Sequence, residues 1–137
     1  MGRVFFNTRE HLDTSSLTDT TTYVMLESDS GKTFMVSGAA QAITLLPAGS
    51  LVPGWHCRFV TTASPSGDKT IGAGSAIMSG SAQDAGGGQG GGSDGTLKTS
   101  VVIKAAGQAG NWLEIMCDGS AYYYNGSASQ DGAFTSS

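Results

Sequence analysis

Gly110-Asn-Trp-Leu-Glu-Ile-Met-Cys-Asp-Gly-Ser-Ala-Tyr-Tyr-Tyr-Asn-Gly126 is the stretch that decides the fold class. Trp112 to Cys117 is one apolar-rich run and Ala121 to Tyr124 is another, with Asp118-Gly119 between them. Asp-Gly tolerates the positive φ angles of a two-residue primed turn, whose twist matches that of paired strands. Side chains alternate across a strand, so Leu113, Ile115 and Cys117 share one face and Trp112, Glu114 and Met116 the other. Tyr122 and Tyr124 share a face of the second strand, opposite Ala121 and Tyr123. Asn125-Gly126 supplies a second turn signal. The stretch predicts a β-hairpin.

Working outward, the same grammar recurs. Tyr23–Leu26 predicts a short strand, Glu27–Lys32 a polar turn and Thr33–Val36 the return. After Ser37-Gly38, Ile43–Leu45 alternates and stops at Pro47. Ala48-Gly49 and Pro53-Gly54 bracket a loop. Trp55, Cys57 and Phe59 then alternate with His56, Arg58 and Val60, the pattern of a half-buried strand. Ser64–Asp68 turns the chain, Thr70-Ile71 and Ala76–Met78 are short strand pieces, and Thr99–Lys104 resumes through Val101–Ile103. The alternation predicts a core of Val24, Leu26, Phe34, Ile43, Leu45, Trp55, Cys57, Phe59, Ile71, Val102, Leu113 and Ile115. Eight or nine strands at short intervals predict an all-β domain over residues 22–126, an antiparallel β-sandwich or jelly-roll-like fold.

Three segments fall outside that pattern. Residues 1–21 are sparse in apolar side chains and predict an extended N-terminal arm whose Val4, Phe5 and Phe6 need a partner surface; a first edge strand of the same domain is the equal alternative. Residues 79–96 include Gly86–Gly92 and predict a Gly-rich loop excursion unable to enter a core. Residues 127–137, polar except Phe134, predict a C-terminal tail.

Composition narrows the function classes. Seven Lys and Arg against 11 Asp and Glu give a net charge of −4, which offers no attraction to nucleic acid or an anionic membrane. Charged residues are 13% of the chain and glycines number 21 of 137, which disfavours helices and suits turns and close packing between copies. No apolar run approaches the ~20 residues of a membrane-spanning helix, and the first residues lack a signal-peptide apolar region. Gly2 fails as a myristoylation site because Phe6 stands where Ser or Thr is required.

Motif by motif, chemistry is weakly supported. Gly31-Lys32-Thr33 lacks the earlier glycine of a phosphate loop, Leu26 occupying that position, and no helix follows. Gly86, Gly88 and Gly91 match a dinucleotide fingerprint only by lying in a glycine run. His11 and His56 are the only histidines, and no spacing suggests three or four convergent metal ligands. Glu114 with Asp118, or a Ser with His56, forms no specific catalytic set. Asp84 and Asp94 flank the glycine run but supply few carboxylates for Ca²⁺. Neither a catalytic function nor a cofactor is expected. Cys57 and Cys117 share faces with large apolar groups and read as buried free thiols, a cross-strand disulfide being the alternative. Tyr122, Tyr123 and Tyr124 put rings on both faces of one strand, offering a subunit contact, a sugar-stacking platform or simply a covered strand.

The ending with Gly110, Trp112, Asp118, Gly119 and Tyr122 resembles endings in small β-structured virion proteins of tailed bacteriophages. Asp29–Phe34, Ile43–Leu45 with Pro47, Gly54-Trp55 with Phe59-Val60, and Thr70-Ile71 are similar to the wording of the same group, which spans head decoration (cement) proteins and the β-rich parts of tail fibres and spikes. The likeness covers roughly residues 22–126. It implies a non-enzymatic, homotrimeric protein on the capsid surface, made in a bacterial cytoplasm, with the major capsid protein and its own copies as partners. A receptor- or glycan-binding fibre domain is the alternative.

Overall fold

In the computed structural model the described residues are 12–13, 22–85, 91–105 and 107–137, the first pair by backbone alone. They form eleven strands: β1 (Leu12–Asp13), β2 (Thr22–Val24), β3 (Thr33–Val36), β4 (Gln41–Thr44), β5 (Trp55–Thr61), β6 (Lys69–Gly72), β7 (Met78–Gln83), β8 (Ser100–Ile103), β9 (Trp112–Cys117), β10 (Tyr122–Ser127) and β11 (Phe134–Ser136). The only helical pieces among the described residues are single 3₁₀ turns at Glu27–Asp29 and Ala48–Ser50. The β-rich expectation holds.

The pairing is mixed, which corrects the expectation of antiparallel sheets. One sheet has the order β1-β3-β5-β9-β10-β7 and the other β11-β8-β6-β4-β2. From β1 to β6 the chain alternates between sheets, so β1, β3 and β5 run parallel in one and β2, β4 and β6 parallel in the other. Turn residues report a change of direction but not which strand is met next. Ser37-Gly38, Pro47–Gly54 and Ser64–Asp68 each carry the chain across to the other sheet. Of the sequential strands, only β9 and β10 pair directly, as the predicted hairpin.

That hairpin differs in its turn. Cys117 pairs with Tyr122 and the Asp118 N–H donates to the Ala121 carbonyl at 3.2 Å, so the two-residue tip is Gly119-Ser120, one residue later than expected. Gly119 takes φ +90°, and the Asp118 carboxylate accepts from the backbone N–H of Ser120 and Ala121 at 2.8 Å each. An Asx-type cap from Asp118 therefore braces the turn. Asn125-Gly126 is not a turn. Both residues lie inside β10, paired with Glu114 and Leu113.

The two sheets contribute to one core, with Phe34, Phe59, Leu113, Ile115 and Tyr122 from the first and Ile43, Ile71, Val101, Ile103 and Phe134 from the second. Phe34 stacks on Phe59 at 5.5 Å, and Trp55 meets Tyr122 edge-on at 6.3 Å. The Tyr122 hydroxyl donates to the Leu46 carbonyl at 2.5 Å, a tie from the six-stranded sheet to the end of β4. Nine of the predicted core residues are buried. Val24 and Leu26 are exposed at 58% and 53%, because the alternation runs in the opposite phase: Tyr23, which meets the Phe34 ring, and Met25 are the inward residues. Val102 is half-buried and its neighbours Val101 and Ile103 point inward.

Parts of two segments expected outside the sheets belong to them. Residues 79–83 extend β7, with Ala82 fully buried, and Gly91, Gly92 and Ser93 are buried as well. Residues 91–98 run along the outer edge of β7, through Ser93 N–H to Gly80 O at 3.0 Å and reciprocal Met78–Lys98 bonds at 2.8 and 2.9 Å. A Cβ on Gly91 would lie 2.8 Å from Ala82 Cβ and 3.0 Å from Phe134 Cβ, so only glycine fits this seam between β7 and β11. Residues 86–90 lie outside the described residues. Within 127–137, expected as a tail, Phe134–Ser136 pairs with β8 and Phe134 is fully buried. Within 1–21, Leu12–Asp13 is an edge strand on β3, and Val4, Phe5 and Phe6 lie outside the described residues.

Cys57 and Cys117 are buried free thiols. Cys57 is opposite Ile115 and Cys117 opposite Trp55, a diagonal arrangement on neighbouring strands. Burial pushes the Cys57 thiol up, with Asp29 and Glu114 adding to the shift. Thiolate is the reactive species, so the native protein is expected to resist iodoacetamide at neutral pH and to take up two labels once unfolded in urea. Rapid labelling of the native protein at Cys57 would contradict this packing.

Candidate binding surfaces

Strand alternation dictates what the outer face of the six-stranded sheet carries. Register sets Val60, Trp112, Ser127 and Gln83 in one row, Arg58, Glu114, Asn125 and Ser81 in the next, and His56, Met116, Tyr123 and Ser79 in a third. Tyr123 and Met116 are 44% and 43% exposed, whereas Trp112 is half-buried. Of the three tyrosines, Tyr123 alone is exposed. Tyr122 and Tyr124 face the core, as in the covered-strand alternative, which leaves Tyr123 as the exposed candidate of the three.

Charges on this face are locked to neighbours. Arg58 donates to Glu114 at 2.7 Å and its guanidinium lies over the Trp112 ring at 5.5 Å from the centroid. Cation–π contact and ion pair together hold the indole in one orientation. The Asp118 carboxyl is held below its ordinary range by the Ala121 and Ser120 N–H groups, and it also accepts from the Tyr123 hydroxyl at 3.1 Å. That contact raises the Tyr123 phenol and fixes its ring. At one end of the face, Gly110, Asn111 and Trp112 on one side and Ser127 and Ser129 on the other line a cleft of about 250 Å³. Asn111 Oδ1 accepts from Ser129 N–H at 3.1 Å, which braces the second wall.

A second surface lies at the β2 end. Leu26 and Val52 are exposed, Val52 at 66%, and Glu27, Ser30, Val52, Pro53 and Trp55 line an open hollow of about 330 Å³. The Trp55 indole N–H donates to the Glu27 carbonyl at 3.2 Å and the Asp29 carboxylate accepts from Leu26 N–H at 2.8 Å, so this apolar rim stands on an ordered turn. Exposed apolar side chains on ordered backbone mark a contact surface more than a core error.

The residues weighed for chemistry do structural work. His56 Nδ1 is 3.0 Å from Gly54 O, Glu114 holds Arg58, and Asp118 caps its loop. Asp84 Oδ2 accepts from Gly132 N–H at 3.0 Å, and Asp94 carries a positive φ of 48°. Among the described residues no group of three or more His, Cys, Asp or Glu is placed to hold a metal. Sequence reading missed Lys69, which is fully buried on β6 and donates to the Gly38 carbonyl at 3.0 Å and to that of Ala39. Desolvation lowers its ammonium pKa, and its place is that of a cap on the β3–β4 connection. A lysine in an alternating run (Lys69, Ile71) was the available signal. Compared with protein families, curated proteins and solved structures, the chain matches none.

Proposed function

We propose that this chain is a non-catalytic structural protein that decorates the outside of a bacteriophage capsid as a homotrimer. The observation that carries the reading is the pair of exposed apolar side chains Leu26 and Val52, Leu26 just beyond the end of β2. The resemblance to phage virion proteins supplies the class of partner, the major capsid protein. In this reading the two mixed sheets are the layers of a sandwich, and residues 4–6 add to a neighbouring subunit as an extended segment. Three copies bound at once turn individually weak contacts into durable attachment.

The β1 strand lies within the first 21 residues, so the informative truncation removes residues 2–11 and spares Leu12–Asp13. Full-length protein is expected to run as a trimer in light scattering and to co-sediment with capsids of its phage. Leu26→Glu with Val52→Glu, and separately the truncation, should each lower capsid occupancy at least tenfold while leaving thermal unfolding unchanged. A monomer that leaves capsids bare, or variants that saturate capsids like the parent, sinks the proposal.

A further inference from the structure

Going beyond attachment to a capsid, the geometry points to a second binding site: we infer that the cleft beside Trp112 and the adjoining sheet face bind a neutral, linear hexopyranose oligosaccharide. Three observations converge on that ligand. The first is the wall chemistry. An indole meets the backbone of Gly110 and Asn111 and the hydroxyls of Ser127 and Ser129 around about 250 Å³, space suited to one sugar ring more than to a drug-sized ligand. Arg58 covers one face of the indole, so a pyranose would set its axial C–H groups against the other side of the ring and its rim of hydroxyls against serine hydroxyls and peptide groups.

The second is charge. Arg58 and Glu114 neutralise each other at 2.7 Å, and no ionisable side chain lines the cleft itself. A phosphate, carboxylate or cation finds no counter-charge there, which leaves a neutral polyol. The third is preorganisation and spacing. Arg58 over Trp112 and Asp118 on the Tyr123 hydroxyl fix two rings before any ligand arrives, which reduces the entropy cost of binding. Ser127 is opposite Trp112, and Tyr123 precedes Ser127 by four residues on β10. With a rise of ~3.4 Å per residue and ~4.8 Å between strands, the two ring-bearing Cα atoms lie roughly 14 Å apart. Asn125, whose amide offers donors and acceptors, sits between them on the same face. A ligand engaging both rings must therefore be an extended chain of several sugar units lying along β10, with its end unit in the cleft.

The test is titration of the full-length protein with neutral linear glucose, mannose and galactose oligosaccharides of one to six units, read by Trp fluorescence and by amide shifts in NMR. At least one series should bind, with affinity rising at least tenfold between one and four units. Trp112→Ala should abolish binding of every length. Tyr123→Ala should weaken the longer oligosaccharides about tenfold and leave the monosaccharide unchanged. Circular dichroism should show each variant folded, and Trp112→Phe, which keeps a ring, should restore part of the affinity. If no series binds at millimolar concentration, if shifts map away from β9 and β10, or if only a protein partner protects this face, the inference is overturned.

Discussion

Gly80→Ala is expected to destabilise the protein by about 3 kcal/mol or more, beyond the usual cost of adding a methyl group to a core. Gly80 lies in β7 directly opposite Tyr124 of β10. A Cβ built there would sit 1.9 Å from the Tyr124 carbonyl oxygen and 2.9 Å from its ring carbon Cγ. The nearest obstruction is backbone, so no rotamer change relieves it; the two strands must separate, and β7 carries the seam with residues 91–98. Two other glycines isolate the cause. Gly74 has φ +75° with nothing within 4 Å of a Cβ, so Gly74→Ala should cost only the left-handed strain of about 1 kcal/mol. Gly49 has open space and no positive φ, and Gly49→Ala should stay within about 0.5 kcal/mol. Urea unfolding of the three variants measures the order. Equal costs for Gly80→Ala and Gly74→Ala would mean that β7 and β10 do not approach this closely.

Gly80 also shows where sequence reading stops. Met78–Gln83 contains one large apolar residue, and its Ser and Gly positions look like loop, yet it is a six-residue strand because glycine lets two backbones meet. Gly126 misleads in the same way: as half of Asn-Gly it signals a turn, but its missing Cβ makes room for the Trp112 carbonyl, 2.8 Å from where that atom would be. Alternation did locate Thr33–Val36 and Trp55–Val60, and the faces of the final hairpin, because large side chains there reach a core whatever strand lies beside them. Pairing direction was not legible. Whether Ser37-Gly38 returns the chain beside β3 or carries it to the other sheet depends on contacts distant in sequence. Of the candidate contact residues, Tyr123 was legible from alternation. Trp112 was visible on the outer face, but its partners Arg58 and Ser127 come from strands whose register only the fold sets.

Asp29→Ala should cost about 3 kcal/mol, the second large effect, and it should reach the proposed capsid contact. The Asp29 side chain is fully buried, a costly place for a carboxylate unless donors surround it. Its Oδ2 accepts from Leu26 N–H at 2.8 Å and from the Tyr23 hydroxyl at 3.0 Å, and its Oδ1 accepts from Lys32 at 2.8 Å. Alanine removes the acceptor from all three, at roughly 1–3 kcal/mol for each donor left buried. Asparagine keeps one oxygen for Leu26 and Tyr23 but sets a donor NH2 against the Lys32 donor, which turns to water, so Asp29→Asn should lose about 1–2 kcal/mol, less than Asp29→Ala. Lys32 is partly exposed and returns to water, so Lys32→Met should cost less than about 1 kcal/mol. The graded series separates a buried hydrogen-bond hub from a surface ion pair; equal losses for Asp29→Ala and Lys32→Met would identify the latter. The turn that Asp29 organises holds Leu26 beside β2, supplies the Glu27 carbonyl to Trp55, and donates Gly31 N–H to His56 O at 2.7 Å. Loosening it should therefore lower capsid occupancy even at temperatures where Asp29→Ala remains folded, whereas Lys32→Met should bind as the parent does.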